Sequence, residues 1–293
     1  MLKNQKKNKK ITNPAQIIGI MAFFCTWCTI IVPMNLLVEG LSQICAADKT
    51  AALVIESRFD NIIKSLACYM DEIERFNPAY GLVKTDSRDT LIAKHILDSL
   101  APLGHIARLL GGGMEERAGK KLADIGSGAG LPGIPLAVCL PDVQITLIER
   151  MGKRAGFLRN VCAVLNSAGF CPGLSSRVTV EETELEKALP GRFDLITFRA
   201  LSPLTPGFVA KLVRLLNLPQ EPEQNVPLHK APLHCIPVQG GIIAAYKGRR
   251  ETAEAELAAL SGLSCSTELV PLGVPFLNEE RCLAVIRPKP CLV

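Results

Sequence analysis

Asp124-Ile-Gly126-Ser-Gly128-Ala-Gly130-Leu-Pro-Gly133 is the stretch of this chain whose residue types and spacing are suited to chemistry. It follows a short apolar run, Lys121–Ile125, and leads into a second, Ile134–Leu140. A strand-to-helix turn of this kind needs glycine where the chain bends sharply and where backbone amides approach a ligand without an intervening β-carbon. Two ligands compete for it. Gly128-x-Gly130-x-x-Gly133 satisfies the dinucleotide fingerprint, and Glu149 falls near the distance at which an acid takes a ribose hydroxyl. The glycines nevertheless begin earlier, as Gly126-x-Gly128-x-Gly130, with Asp124 two residues ahead. A carboxylate there repels a pyrophosphate and suits the ammonium of a phosphate-free nucleoside such as S-adenosylmethionine. Asp124 would orient that ammonium directly or through the loop amides, or it would serve as a purely local cap. Elsewhere chemistry is sparse. The four His are isolated and no Ser-His-Asp or Cys-His arrangement is visible. His95 reads as a packing or surface residue, with a ligand or RNA contact as the functional alternative. Cys25 and Cys28 have the C-x-x-C spacing but no second pair, so no metal site is expected.

Past Gly111-Gly112-Gly113, the clearest linker, the texture is strand, loop, helix, repeated. Strands are predicted at Lys121–Ile125, Val143–Ile148, Arg177–Val180, Phe193–Phe198, Ile242–Tyr246, Glu268–Leu272 and Cys282–Arg287. Helices are predicted between them at Ile134–Leu140, Lys153–Leu165, Phe208–Leu216 and Glu251–Leu260. Alternation of this kind builds a parallel, doubly wound α/β sheet with helices on both faces. Its carboxyl ends face the binding crevice. Glu149 ends the second strand there, placed to accept two ribose hydroxyls. Lys153, Arg154 and Arg159 open the next helix, and Arg150, Arg199, Lys247, Arg249 and Arg250 lie at neighbouring strand ends. Such a patch would grip phosphates. Aromatics are few, leaving Phe198 or Tyr246 to stack on a base. Residues 50–110 read as helices, from Leu53, Ile62, Ile63, Leu66, Tyr69, Met70 and Ile73 at helical spacing. Asn77-Pro78 breaks that pattern, and Asp89-Thr90 caps the following helix.

The chain is 293 residues long, with 33 basic and 28 acidic side chains and 48% hydrophobic positions, enough for one large or two modest domains and too apolar for disorder. Its net charge of +5 comes from five lysines between Lys3 and Lys10, so the rest of the chain is balanced. Any nucleic-acid contact must therefore be a local patch and not a whole-domain field. Eleven Cys at irregular spacing fit a reducing compartment and not a disulfide framework. Ile11–Val38 holds no charge, and its Ile17–Val38 part is almost wholly apolar. Three readings stay open for it: a membrane anchor, a packed or amphipathic helix, or a segment absent from a protein that starts at Met34. Five Pro make 217–240 a surface insertion. The expected division is 1–33, a basic and apolar segment; 34–113, a helical extension; and 114–293, the α/β domain.

Several motifs occur together in order. They are Asp124–Pro135, Gly152-Lys153-Arg154 with Phe157-Leu158-Arg159, Phe193-Asp194 with Phe198-Arg199-Ala200, and Lys247-Gly248. Upstream lie Phe76-Asn77-x-x-Tyr80 and His95-Ile96-Leu97-Asp98-Ser99. In these the chain from Met34 onward resembles the glucose-inhibited division protein B family, bacterial 16S rRNA (guanine-N7) methyltransferases. The resemblance implies a class I S-adenosylmethionine-dependent methyltransferase, Rossmann-like, with a helical amino-terminal extension. It implies S-adenosylmethionine as cofactor, and 16S ribosomal RNA or the assembling small ribosomal subunit as partner. No metal is expected, the location is cytoplasmic, and membrane contact is possible only through 11–38. It carries over Gly126, Leu131 and Arg199 as cofactor residues and places an adenine-holding segment at Glu184-Leu185, with Glu186 beside it. No residue is expected to act as a catalytic acid or base, and Lys153, Arg154 and Lys247 are the expected RNA contacts. The sequence departs from the family at Thr183-Glu-Leu-Glu, at Gly81, in the 217–240 insertion and before Met34.

Overall fold

The computed structural model describes residues 35–217 and 240–289. The readings for 1–33 and for nearly all of the insertion lie outside the described residues. Among those residues no helix is long and apolar enough to cross a membrane. Among the described residues six helices come first: α1 (Asn35–Ala47), α2 (Lys49–Ile55), α3 (Phe59–Tyr80), α4, α5 (Leu103–Leu109) and the short α6 (Met114–Arg117). Helix α4 starts as Arg88–Leu91, widens to π geometry over Ile92–Leu97 and closes at Asp98–Leu100. The sheet part continues β1 (Lys121–Ile125), α7 (Gly133–Cys139), β2 (Gln144–Ile148), α8 (Gly152–Ser167), α9 (Leu174–Arg177) and β3 (Val178–Glu181). It ends β4 (Leu195–Arg199), α10 (Pro206–Val213), β5 (Ile242–Lys247), α11 (Arg250–Ala258), β6 (Cys265–Leu272) and β7 (Arg281–Pro288).

Helix α3 forms because Ile62, Ile63, Leu66, Tyr69, Met70 and Ile73 make one buried stripe. It does not break at Asn77-Pro78 as expected. Pro78 sits in the last turn, where its missing N–H costs a single hydrogen bond, and Gly81 (φ 57°) caps the helix by donating to Asn77 O at 2.8 Å. The Asn77 side chain then pairs with both backbone groups of Val83, at 2.9 and 3.0 Å, and fixes the turn into α4. The cap of α4 is Ser87, which accepts from Thr90 N at 3.1 Å, two residues before the expected Asp89.

The strand order is β3-β2-β1-β4-β5-β7-β6. All neighbours pair parallel except β7, which runs antiparallel to both β5 and β6. The order reverses between β1 and β4, so the crevice of the fold opens beyond Ile125 and Arg199. One apolar cluster runs without interruption from Leu37 in α1 through α3, α4, α7 and α8 to Val285 in β7. A second, with Val209, Leu212 and Leu257 from α10 and α11, covers the other face. Gly111–Gly113 is not a loose linker. Gly112 N donates to Ala107 O at 2.9 Å, and Arg117, buried against Asp142 at 2.8 Å, donates to Gly112 O.

Candidate active site

A cleft of about 940 Å³ opens at the carboxyl ends of β1, β4 and β5, within the size range of small-molecule sites. Its walls are the turn from Gly126 to Leu131, the α4 residues Lys94, His95 and Asp98, the stretch Arg199–Pro203, and Lys247 and Arg281. The glycines divide by task. A β-carbon on Gly130 would lie 2.6 Å from Ile134 and one on Gly133 2.3 Å from Leu147, so these two are needed for packing. Gly128 (φ 57°) has no atom nearer than 3.8 Å to such a carbon and is the open face of the turn.

Two carboxylates close that turn from behind. Glu149 Oε2 accepts Gly128 N at 2.9 Å and its Oε1 accepts Met151 N at 2.8 Å. Asp124 Oδ2 accepts Gly133 N, the first residue of α7, at 2.9 Å. The amides that a pyrophosphate would take are thus already bonded to acids. The site fits a nucleoside without phosphates and argues against a dinucleotide. Asp124 is fully buried and absent from the cleft wall, so it acts on the turn and not on an ammonium directly. Glu149, buried at 4% exposure and likewise absent from the cleft wall, keeps one lone pair on each oxygen behind the turn.

Arg199 is the hub of the opposite wall. Its Nη1 donates to Asp98 Oδ2 at 2.7 Å and to Lys94 O at 3.2 Å, and its Nη2 meets His95 Nδ1 at 3.2 Å. Asp98 N bonds to His95 O, one residue short of its α-helical partner, and Lys94 O takes the guanidinium. Since arginine only donates, His95 Nδ1 must accept, and Nε2 carries the proton toward Lys84 O at 3.1 Å. The imidazole is neutral. Burial lowers its pKa, helped by the Arg199 charge, while the Lys84 O bond opposes. Asp98 also accepts Arg281 Nε at 3.1 Å. Asp98 and Arg281 are wall residues that sequence reasoning did not assign, and His95 enters it only as an alternative; His95 and Asp98 lie in a quoted motif, but nothing ties Arg281 to them along the chain.

Other expected residues are placed differently. Phe198 is 1% exposed and packs edge-on against Phe208 on the far face, so it cannot stack on a base. Tyr246 is buried with its hydroxyl donating to Ser99 O at 2.8 Å. Lys247 lines the cleft but pairs with Glu256 at 2.5 Å. Glu184 is exposed and pairs with Lys187 at 3.0 Å, while Leu185 packs against the far-face cluster; neither lines the cleft. Glu186 is paired with Lys211. The part of that segment beside the turn is Glu181-Glu182, where Glu181 O accepts Glu149 N at 3.0 Å. Arg154 lines the cleft and Lys153 is exposed beside it; among the described residues neither has an ion-pair partner. Arg159 is paired with Glu182, and Arg250 with Glu254. No cluster of metal-ligating side chains is found among the described residues.

The order of the strands, the reversed β7 and a glycine turn closed by acids at the switch point define a class I S-adenosylmethionine-dependent methyltransferase. The profile of the family rRNA small subunit methyltransferase G matches residues 62–219. A Ribosomal RNA small subunit methyltransferase G of Treponema pallidum is 35% identical over 260 residues, covering 87% of this chain and 94% of the relative. The protein of that name from Treponema denticola is 33% identical over 79% and 88%. The one from Leptothrix cholodnii is 31% identical over 78% and 88%. This chain belongs to the rRNA small subunit methyltransferase G family.

Proposed function

We propose that this protein transfers the methyl group of S-adenosylmethionine to N7 of a guanine in 16S ribosomal RNA, in the cytoplasm, on free RNA or the assembling small subunit. The observation that carries this reading is the content of one cleft. An acid-closed glycine turn faces walls with six basic side chains, Lys84, Lys94, Arg154, Arg199, Lys247 and Arg281, against the single acid Asp98. The chain past residue 33 is charge-balanced as a whole, so this bias is local.

S-adenosylmethionine supplies a methyl group activated on a sulfonium. Guanine N7 has a free lone pair and no proton, so the reaction needs no general base, and the chain's work is positioning and electrostatics. The cleft agrees with that demand. Its imidazole, His95, has both nitrogens engaged, and Asp98 is committed to two guanidinium groups. Gly126, Gly128 and Leu131 wall the donor side, Glu149 holds the turn and offers its remaining lone pairs to ribose hydroxyls, and Arg199 fixes the opposite wall. Lys153 and Arg154, in the first turn of α8, grip acceptor phosphates. The test is transfer of tritiated methyl from the donor to small-subunit RNA from cells lacking this gene, followed by mapping of the labelled base. Label at a guanine N7 is expected. Label elsewhere, or on protein only, would overturn the reading.

A further inference from the structure

Glu279, on the connection between β6 and β7, pairs with two cations at once. Its Oε1 lies 3.6 Å from Lys94 Nζ and its Oε2 lies 2.8 Å from Arg281 Nη2. Both cations line the cleft, and both stand on fixed supports. Arg281 Nε is held by Asp98, a residue 4% exposed that also takes Arg199. Lys94 lies in the π-widened part of α4, its carbonyl bound by Arg199. Two guanidinium groups thus share one buried carboxylate, and an ammonium stands beside them, so this wall keeps a net positive charge. The Glu279 carboxylate is half exposed, as is Lys94, and exposed ion pairs contribute little to stability. A phosphodiester presents the same two anionic oxygens to the same two donors.

We propose that Lys94 and Arg281 form a phosphodiester subsite for the backbone of the acceptor RNA, and that Glu279 is the internal anion that occupies it until RNA displaces it. This rests on the methyltransferase reading above and adds a contact point on α4 and β7, separate from Lys153 and Arg154 on α8. The carboxylate makes the subsite selective. A small anion gains too little to evict Glu279, whereas an RNA strand already held at α8 brings its next phosphates at high local concentration.

The experiment measures affinity for small-subunit RNA across a potassium chloride series at constant magnesium. It compares wild type, Lys94→Ala, Glu279→Gln and the double variant, with Glu115→Gln as a charge-matched control on α6, at the opposite end of β1 from the cleft. Glu279→Gln is expected to tighten RNA binding a few-fold more than Glu115→Gln. Lys94→Ala should reduce the slope of log K against log salt by about 0.7–0.9, the loss of one phosphate contact. In the Lys94→Ala background the gain from Glu279→Gln should shrink, since the two act through one site. Calorimetric affinity for S-adenosylmethionine should stay unchanged in Glu279→Gln and Glu115→Gln. Equal tightening by both glutamine variants, or an unchanged slope in Lys94→Ala, would overturn the subsite while leaving methyl transfer by wild type intact. A wild-type protein that neither binds nor labels the RNA would remove both this inference and the reading beneath it.

Discussion

Asp124 is fully buried behind the glycine turn with one of its two oxygens unsatisfied. Its Oδ2 accepts the Gly133 amide, but its Oδ1 is buried without a hydrogen-bond partner. Burial pushes its pKa up to about 7; the Gly133 amide and the Arg199 charge pull down, and the Glu149 charge adds to the rise. The folded value lies above the ordinary carboxylate value, so the folded state binds the proton more tightly than the unfolded chain. The stabilisation this gives is complete below about pH 4 and is lost as pH rises through about 7. Asp124→Asn keeps an acceptor for Gly133 and cannot ionise. In urea denaturation, wild type is expected to lose roughly 2 kcal/mol more than Asp124→Asn between pH 5.5 and pH 8. Parallel curves would assign the pH dependence to another group. The place of Asp124, two residues ahead of the glycines, was legible in the sequence. Its burial was not, because what covers it comes from the turn folding back over β1. The same holds for Arg281. It meets Asp98 only because β7 enters the sheet reversed beside β5, and no spacing along the chain announces that contact.

Among elements, the β1–α7 turn shows why glycines of one motif are not equivalent. Gly133→Ala would drive a β-carbon to 2.3 Å from Leu147 and 2.7 Å from Asp124 Oδ2, in a fully buried helix start. Overpacking of this kind costs about 1–3 kcal/mol, and here it also displaces the carboxylate that caps α7. Gly128→Ala meets nothing closer than 3.8 Å but must hold a left-handed φ of 57°, which costs an L-residue about 1–2 kcal/mol. Denaturant titration should therefore rank Gly133→Ala as the less stable protein. Calorimetry should show Gly128→Ala losing affinity for S-adenosylmethionine relative to its stability, since its new methyl faces the cleft. The reverse ranking would mean that the turn relaxes around position 133. Sequence pattern placed β1 to the residue and most other elements within two, because strand–helix alternation is a strong periodic signal. It misjudged Pro78, where position in the last turn made proline tolerable, and it had no means to see the π segment of α4. Within that segment Lys94 O accepts from Arg199, a contact 105 residues away.

At the scale of the whole molecule, the helical part and the sheet share their interior. Leu37, Leu41, Leu66, Ile73 and Ile96 are fully buried in the cluster that also holds Leu122, Leu147 and Leu195. Each such side chain contributes about 1.5–3 kcal/mol by leaving water, and here much of that burial is against the other part. Polar ties cross the same boundary. Tyr69 donates to Ala129 O in the glycine turn at 2.7 Å, Arg58 to Val138 O at 3.2 Å, and Asn160 to Glu72 at 2.6 Å. The helices therefore back the donor turn from below as well as supplying His95 and Asp98 to the cleft. Such sharing predicts a single cooperative unit. In native-state hydrogen exchange, the most protected amides of α3 and β4 should report the same opening free energy, within about 1 kcal/mol. Saturating S-adenosylmethionine at about 100 times its Kd should raise both by about 2.7 kcal/mol together, because a ligand that binds only the folded chain stabilises everything that unfolds with its site. Stabilisation of β4 alone, with α3 exchanging as before, would show that the helices open without disturbing the turn they support. The Tyr69 contact would then be a surface feature of the sheet and not part of what shapes the donor site.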